Sequence, residues 1–265
     1  MTAAPGPAGG PPPLAGRTVV VTRATEQAAG LCERLEALGA EARVMPLVAF
    51  EALAPEPPDL SGYRWLVFTS ANGVRFLSRL DPARWPPPPG VQVAAVGPAT
   101  AAAVAAAGAP AGLVPERAVA EGLLEVFPPP EAPGERVLLA RAETGRDVLP
   151  GGLRARGYEV DVLAVYRTVP VAPDRATVER LRAGDVDAVT FTSPSTVSQF
   201  HAAVSGAAGL LAGGPGAAVA VSIGPVTSAR ARELGVPIAA EADPHTDDGL
   251  VAAVVAAVAA ARPRP

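Results

Sequence analysis

Val96-Gly97-Pro98-Ala99-Thr100, in the first half of the chain, is matched by Ile223-Gly224-Pro225-Val226-Thr227 in the second half. Phe68-Thr69-Ser70 is matched in the same way by Phe191-Thr192-Ser193. An apolar run precedes each motif and a helical pattern follows it, so each motif is predicted to lie where a strand ends and a helix begins. The spacing between copies varies, which indicates two similar halves with loop insertions and not a solenoid of short repeats.

Apolar runs alternate with helical segments along the whole chain. The run over 18–22 is followed by a helical pattern over 24–38, which Gly39 ends, and by a further apolar run over 42–50. Continuous apolar runs between helices are typical of parallel strands that helices cover on both faces. The sequence therefore predicts an α/β protein with two similar parallel-sheet domains, each like a flavodoxin or Rossmann half, and a ligand cleft between them.

Composition restricts the function class. With 22 basic and 26 acidic residues, the net charge of −4 gives no general attraction to nucleic acid or to an anionic membrane. Every basic residue is arginine, so Schiff-base chemistry on a lysine is excluded. The chain has two histidines and no pattern typical of a zinc site or a nucleotide-phosphate loop. We therefore expect no metal, and no nucleotide bound through a known phosphate loop.

Targeting signals are not evident in the sequence. The stretch 1–13 is rich in Pro, Gly and Ala, lacks the basic and apolar parts of a signal peptide, and is predicted to be a disordered tail. The longest apolar run, 249–261, is shorter than a membrane span. The single cysteine, Cys32, is expected to be a packed side chain, since it has no partner for a disulfide. We expect a cytoplasmic protein without membrane association.

The repeated motifs lie at the edge of the sheet where parallel α/β proteins bind ligands. Gly97-Pro98 and Gly224-Pro225 place a proline in the first helical turn, where its missing N–H has no cost, and Thr100 and Thr227 follow in that turn. Helix starts bind anions through free N–H groups and the helix dipole. Ordinary capping explains any one of these residues. Four similar corners, two in each half, favour a site for a polyanion.

Tyrosine is rare, and Tyr166 is the one that ends an apolar run (160–165). A phenol at a strand terminus could donate a proton to a leaving group. Packing at the sheet edge is the alternative role for such a side chain.

Several stretches resemble the uroporphyrinogen-III synthase family. They are the four strand-to-helix corners, Gly145-Arg146-Asp147-Val148-Leu149, the segment from Leu153 to Val160, and Val165-Tyr166-Arg167-Thr168. The resemblance extends from about residue 14 to residue 261, and the order of the motifs over both halves makes it specific.

The resemblance implies an activity. The substrate is hydroxymethylbilane, an open-chain tetrapyrrole with eight carboxylates, and the product is uroporphyrinogen III, formed with loss of water and inversion of ring D. The resemblance implies no cofactor and no metal, and it suggests that hydroxymethylbilane synthase hands the substrate over. Because the spontaneous reaction closes the ring without inversion, the enzyme must above all position its substrate.

The resemblance also assigns roles by position. Tyr166 becomes the catalytic candidate that assists departure of the hydroxyl group. The candidate substrate-binding residues lie at strand ends and helix starts and are Arg23, Ser70, Ala71, Asn72, Gly97, Thr100, Arg141, Ser193, Pro194, Ser195, Gly224 and Thr227. For Arg23 and Arg141, a structural salt bridge is the open alternative to a contact with a substrate carboxylate.

Family resemblance changes the expected domain division. It implies that the chain crosses between domains twice, near 43–50 and 161–168, so that domain 1 comprises 14–45 and 168–262 and domain 2 comprises 50–165. The two connecting strands are predicted to act as a hinge that closes on the substrate. We expect a monomer.

Two other functions remain open. One is a non-catalytic tetrapyrrole- or anion-binding sensory module of the same fold, against which the retained Tyr166 and helix-start motifs argue. The other is a two-domain glycosyltransferase, against which the lack of a recognisable nucleotide-binding motif argues.

Overall fold

The computed structural model describes residues 11–211 and 216–261, and the structural statements below refer to these residues. The chain forms two compact units. Unit 1 consists of Met1–Ala49 and Val169–Pro265, and unit 2 consists of Phe50–Thr168. Residues 1–10 of the predicted tail lie outside the described residues. Pro12 belongs to a turn in which its carbonyl accepts a hydrogen bond from Ala15 N at 2.9 Å.

Strands and helices alternate over most of the chain. In chain order they are β1 (Thr18–Val21), α1 (Thr25–Ala37), β2 (Glu41–Val44), β3 (Val48–Ala52), β4 (Trp65–Phe68), α2 (Ala71–Leu80), β5 (Gln92–Ala95), α3 (Pro98–Ala106), α4 (Ala120–Val126), β6 (Arg136–Ala142), α5 (Val148–Ala155), β7 (Glu159–Pro170), α6 (Arg175–Ala183), β8 (Ala188–Phe191), α7 (Pro194–Ala203), α8 (Ala207–Leu210), β9 (Val219–Ser222), α9 (Pro225–Glu233), β10 (Ala240–Glu241) and α10 (Asp247–Ala260). Two short 3₁₀ turns, Leu60–Gly62 and Pro82–Arg84, lie in unit 2.

Unit 1 is built around a parallel sheet with the strand order β10-β9-β8-β1-β2. Its central strands are buried along their whole length, because α1 and α10 cover one face while α6, α7 and α9 cover the other. Burial on both faces explains why these strands are apolar without alternation. Cys32 packs in the α1 side of this core, as expected from the sequence, and burial raises the pKa of its thiol.

Unit 2 contains the second sheet, with the strand order β3-β7-β6-β4-β5. Strands β7, β6, β4 and β5 are parallel. The hydrogen bonds Leu53 N to Val165 O and Val171 N to Leu47 O run in opposite order along β3 and β7, which is the antiparallel pattern. Helices α2 and α3 cover one face of the sheet, and α4 and α5 cover the other. The predicted α/β class with two parallel-dominated sheets is confirmed.

The two sheets place repeat-related strands in the same spatial order. Strands β5-β4-β6-β7 of unit 2 correspond to β9-β8-β1-β2 of unit 1. Both copies of the Phe-Thr-Ser motif lead from a central strand into a helix, α2 in one unit and α7 in the other. The repeat in the sequence is therefore a repeat of three-dimensional structure.

The prediction of one continuous strand over 42–50 is wrong. Strand β2 ends at Val44, and β3 begins at Val48 in the other sheet. Pro46 lies between them and has no N–H for a sheet ladder. Met45 and Leu47 are fully buried on either side of Pro46, so the apolar pattern continues through the break.

Among the described residues, no helix combines the length and the apolar character that a membrane crossing requires.

Candidate active site

Tyr166 lies at the carboxyl edge of the unit 2 sheet. On β7 it faces Ala142 of β6, directly after a shift in the strand register between Arg141 and Ala142. Its ring stacks on Phe76 at a centroid distance of 5.2 Å, and it meets Phe50 edge-on at 5.7 Å. Only 7% of Tyr166 is exposed. Aromatic neighbours on two sides therefore fix the direction in which the phenol C–O bond points.

The Tyr166 hydroxyl meets the start of α2. Ser70 Oγ lies 3.1 Å from Tyr166 Oη, and it also accepts a hydrogen bond from Gly73 N at 3.1 Å. Ser70 has an extended backbone (φ −157°, ψ 153°), as is usual for an N-cap residue. Two residues that the sequence singled out are thus in direct contact, although 96 positions separate them.

Helix α2 approaches the sheet closely at this point because Gly73 has no side chain. A Cβ atom at Gly73 would lie 2.8 Å from the carbonyl oxygen of Ala140 on β6. Ala71 and Asn72 occupy the first turn of the helix between Ser70 and Gly73, and Asn72 is buried. The Tyr166 hydroxyl therefore meets α2 at its N-cap residue, Ser70.

The second corner of unit 2 is the start of α3. Gly97 is the N-cap residue, with extended backbone, and a Cβ atom there would lie 2.7 Å from Ala118 Cβ. Thr100 lies in the first turn and is buried. The N–H groups of this turn precede the first intrahelical acceptor, so helix geometry leaves them available to a ligand.

Arg141 stands at the end of β6, on the same sheet edge as Tyr166. Its Nη1 donates to Arg146 O at 2.7 Å. Its Nε is buried and makes no hydrogen bond within the described residues. The Arg141 side chain is thus held by the loop that precedes α5, and its contact with a substrate carboxylate stays a prediction.

The start of α7 in unit 1 repeats the arrangement at α2. Ser193 Oγ accepts a hydrogen bond from Thr196 N at 3.3 Å, and Pro194 occupies the first helical position. The Ser193 hydroxyl lies 2.9 Å from Ser195 Oγ. Here the neighbouring hydroxyl belongs to a serine of the helix itself, whereas at α2 it belongs to Tyr166.

The start of α9 is the other corner of unit 1. Thr227 and Ser228 are buried in its first turn, and the Ser228 hydroxyl lies 2.6 Å from Ser222 Oγ and donates to Glu241. Gly224 is the N-cap residue, and a Cβ atom there would lie 3.2 Å from the His245 ring.

Arg23 is held by a carboxylate of its own unit. It forms a two-point ion pair with Asp247, with Nη1–Oδ2 and Nη2–Oδ1 distances of 3.0 and 2.8 Å. The structure therefore contains the salt bridge that was the open alternative for this residue. A role in substrate binding stays a prediction.

The two other tyrosines have neighbours of a different kind. Tyr63 donates to Asp161 Oδ2 at 2.9 Å, and Tyr158 donates to the carbonyl oxygen of Pro128 at 3.2 Å. Burial raises the pKa of both phenols. Tyr63 also accepts from Arg136 Nη2 at 3.1 Å, so both sides of its hydroxyl are bonded to charged groups. The partner of Tyr166 is instead a neutral hydroxyl that can donate or accept.

Each unit thus brings its predicted residues to the carboxyl edge of its own sheet, and direct contact is observed between Ser70 and Tyr166. Four residues of these contacts were not predicted from the sequence: Phe50, Phe76, Gly73 and Asp247. The spacing of Gly73 and Phe76 on one face of the predicted helix α2 was a usable signal for two of them. No group of three or more His, Cys, Asp or Glu side chains suited to a metal ion occurs in the described part of the chain.

The fold and these corners define a class of protein: a two-unit α/β protein, with mainly parallel sheets, whose paired helix starts lie at the carboxyl edge of each sheet. Residues 29–252 match a family model described as uroporphyrinogen-III synthase HemD. The chain belongs to the uroporphyrinogen-III synthase family, which confirms the resemblance found in the sequence.

Individual relatives agree with the family model. A uroporphyrinogen-III synthase from Synechococcus elongatus is 34% identical over 260 residues, covering 91% of this chain and 96% of the relative. One from Chlorobaculum parvum is 29% identical over 195 residues, covering 71% and 79%.

Solved structures support the fold. A mutant uroporphyrinogen III synthase from Thermus thermophilus superposes with a TM-score of 0.62 at 23% identity, covering 92% of this chain and 99% of the other. The uroporphyrinogen-III synthetase from Helicobacter pylori also gives 0.62, at 17% identity, with 91% and 99% covered.

Proposed function

We propose that this chain converts hydroxymethylbilane to uroporphyrinogen III in tetrapyrrole biosynthesis, with loss of water and inversion of ring D. Family membership supports the reaction, which is a cyclising dehydration catalysed by a lyase. The observation that carries the mechanism is the position of Tyr166, whose hydroxyl lies at the start of α2, 3.1 Å from Ser70 Oγ.

In this proposal the helix starts bind the substrate. The substrate's carboxylates are the ligands that first-turn N–H groups and hydroxyls favour. Thr100 and Thr227 are buried at the starts of α3 and α9, and Ser70 and Ser193 cap α2 and α7. Arg141, at the end of β6, is a further candidate for a charge-assisted contact with a substrate carboxylate. Ala71, Asn72, Gly97, Pro194, Ser195 and Gly224 shape these corners.

Tyr166 supplies the acid. Its phenol donates a proton to the hydroxyl oxygen of the substrate as the C–O bond breaks, so that water leaves with the bonding electron pair. The positive charge remains on the methylene carbon and its pyrrole ring. Acid catalysis of this kind typically contributes about 10²–10⁴-fold to the rate. Positioning of ring D then selects closure with inversion over direct closure.

We further propose that the reaction needs neither metal nor cofactor, and that the protein works as a cytoplasmic monomer that receives its substrate from hydroxymethylbilane synthase.

The crossings of the chain at β3 and β7 are the places where the predicted hinge would act. Light scattering after size-exclusion chromatography measures the molar mass and so tests whether the protein is a monomer. Small-angle scattering with and without product tests closure, and an unchanged envelope would count against it.

The isomer assay tests the function. Hydroxymethylbilane is generated in situ, the protein is added, and the oxidised products are separated by chromatography. We expect type III isomer with the protein and type I isomer without it. Tyr166→Phe, which keeps the ring between Phe50 and Phe76, is expected to lower kcat roughly 10²-fold or more. Type I product alone from a folded wild-type protein would reject the proposal and favour a non-catalytic tetrapyrrole-binding module.

A further inference from the structure

The Ser70 hydroxyl has one hydrogen to donate and two lone pairs with which to accept. One lone pair accepts a hydrogen bond from Gly73 N–H, with an N–O distance of 3.1 Å, and this bond caps α2. The remaining partner is Tyr166 Oη at 3.1 Å, and the heavy-atom geometry permits either oxygen to be the donor. The direction of this one hydrogen bond decides where the phenol hydrogen points.

Local electrostatics favours Ser70 as the donor. An oxygen that already accepts from an N–H group becomes a stronger donor through its own hydrogen, because hydrogen bonds in a chain polarise one another. The N-terminus of α2 adds a positive potential, which favours lone pairs towards the helix and the hydroxyl hydrogen away from it. Tyr166 Oη lies in reach of that hydrogen.

The ring of Tyr166 has little freedom of its own. Phe76 stacks on it with an interplanar angle of 16°, and Phe50 meets it at 83°. A phenol hydrogen prefers the plane of the ring, which leaves it two orientations. A hydrogen bond donated by Ser70 favours the orientation that points away from Ser70.

We propose that Ser70 is a positioning residue that donates its hydroxyl hydrogen to Tyr166 Oη and so leaves the phenol hydrogen free for the substrate. This inference rests on the proposed function and goes beyond capping or carboxylate binding by Ser70. As the C–O bond breaks, the phenol proton completes the departing water, and the phenolate that remains keeps the hydrogen bond from Ser70. The proton released from ring D when cyclisation is completed restores the phenol.

An isosteric pair of variants tests the direction of the bond. Asn and Asp are both good N-cap residues, so Ser70→Asn and Ser70→Asp each retain a cap for α2. The Asn amide can still donate to Tyr166, whereas an ionised Asp can only accept and therefore takes the phenol hydrogen for itself. We expect Ser70→Asp to lower kcat nearly as much as Tyr166→Phe, roughly 10²-fold or more. Ser70→Asn and Ser70→Thr should retain most of kcat.

The Tyr166→Phe variant serves as the control for the negative charge that Ser70→Asp introduces. In Tyr166→Phe there is no phenol to orient, so adding Ser70→Asp or Ser70→Asn should then give the same kcat. A difference that persists in that background, or one confined to KM, would show that Ser70 acts on the substrate directly and would overturn the proposal. Asp174→Ala removes the N-cap of α6, where Asp174 accepts from Thr177 N at 2.8 Å, and should lower stability without changing kcat.

A spectroscopic readout does not depend on turnover. The chain has three tyrosines, so labelling the ring carbon that bears the hydroxyl gives three NMR signals, and Tyr166→Phe assigns one of them. We expect Ser70→Asp to move that signal towards the phenolate position and Ser70→Asn to move it little. Identical signals in both variants would overturn the proposal. A wild-type protein that gives only type I product but shows the expected NMR shifts would instead reject the proposed function.

Discussion

Arg23 and Asp247 form a two-point ion pair that joins the end of β1 to the first turn of α10. The Arg23 side chain is 14% exposed and that of Asp247 is 31% exposed, so the pair is partly shielded from water. Asp247 also lies where a helix dipole favours a carboxylate. The pair therefore links the segment after β1 to the start of α10 at the carboxyl edge of the unit 1 sheet.

A double-mutant cycle should show that these two residues stabilise the fold together. We expect Arg23→Ala and Asp247→Ala to lower the free energy of unfolding in urea, with a coupling energy of about 0.5–2 kcal/mol between them. The exposed pair Arg175–Glu179, at 2.9 Å, is the control and should couple by no more than about 0.5 kcal/mol. Additive losses at Arg23 and Asp247 would contradict the structural role.

Gly73→Ala should disturb the corner at Tyr166. The added Cβ would lie 2.8 Å from the carbonyl oxygen of Ala140, which is backbone and cannot rotate away. We expect a loss of about 1–3 kcal/mol in unfolding free energy, together with a lower kcat because α2 moves relative to Tyr166. Gly209→Ala on α8 is the control: no atom lies within 4 Å of its added Cβ, and stability should hold or rise slightly. Equal stabilities for both variants would show that α2 has room at Gly73.

Local patterns were enough to predict most of the fold. Strand ends such as Phe68 and Phe191, and helix starts such as Ser70 and Ser193, follow from apolar runs and capping residues that each lie within a few positions. The run through Met45-Pro46-Leu47 was misjudged because burial on both sides of the break keeps the sequence apolar. Pro46 was the one local sign that a sheet ladder ends there.

The candidate site was less predictable because its contacts are distant in the sequence. The register shift between Arg141 and Ala142 sets which β7 residue lies beside Ser70, and nothing in the sequence marks that shift. Gly73 is needed because a carbonyl of another strand lies beneath it, which only the packed structure reveals. Asp247 faces Arg23 because α10 packs against α1 and β9, which brings its start to the end of β1. Separation in the chain thus limits prediction at each of these positions.

Glu41 should make part of the stability depend on pH. Hydrogen bonds from Arg180 and Arg43, with a smaller contribution from Thr18, lower the pKa of its carboxyl from 4.5 to about 2. Because the pKa is lower in the folded state, the stabilisation is fully present above about pH 4.5 and is lost as the pH falls towards 2.

Urea unfolding of Glu41→Gln and wild type between pH 3 and 7 checks this dependence. We expect the wild type to be more stable near neutral pH and the two midpoints to converge in acid. Arg180→Leu removes one of the two arginines that bond to Glu41. In that background, the stability difference between Glu41 and Glu41→Gln should therefore change less with pH. A difference between wild type and Glu41→Gln that stays constant over this range would contradict the lowered pKa.

The buried threonines at the helix starts should act on binding more than on chemistry. Valine has the shape of threonine without the hydroxyl, so Thr100→Val and Thr227→Val leave the corners filled and remove one donor each. A hydrogen bond to a carboxylate contributes about 1.5–3 kcal/mol, so each variant should raise KM roughly 10–100-fold and change kcat much less.

The control for this pair is Thr18→Val at the opposite, amino edge of the unit 1 sheet. It removes a 3.1 Å hydrogen bond to Glu41 and should lower stability while leaving KM unchanged. The isomer ratio adds a second readout, because a threonine that only holds a carboxylate leaves type III dominant, whereas one that orients ring D raises the type I fraction. Unchanged KM values and unchanged isomer ratios in both Thr100→Val and Thr227→Val would exclude these hydroxyls from the substrate site and leave the backbone N–H groups as the anion donors.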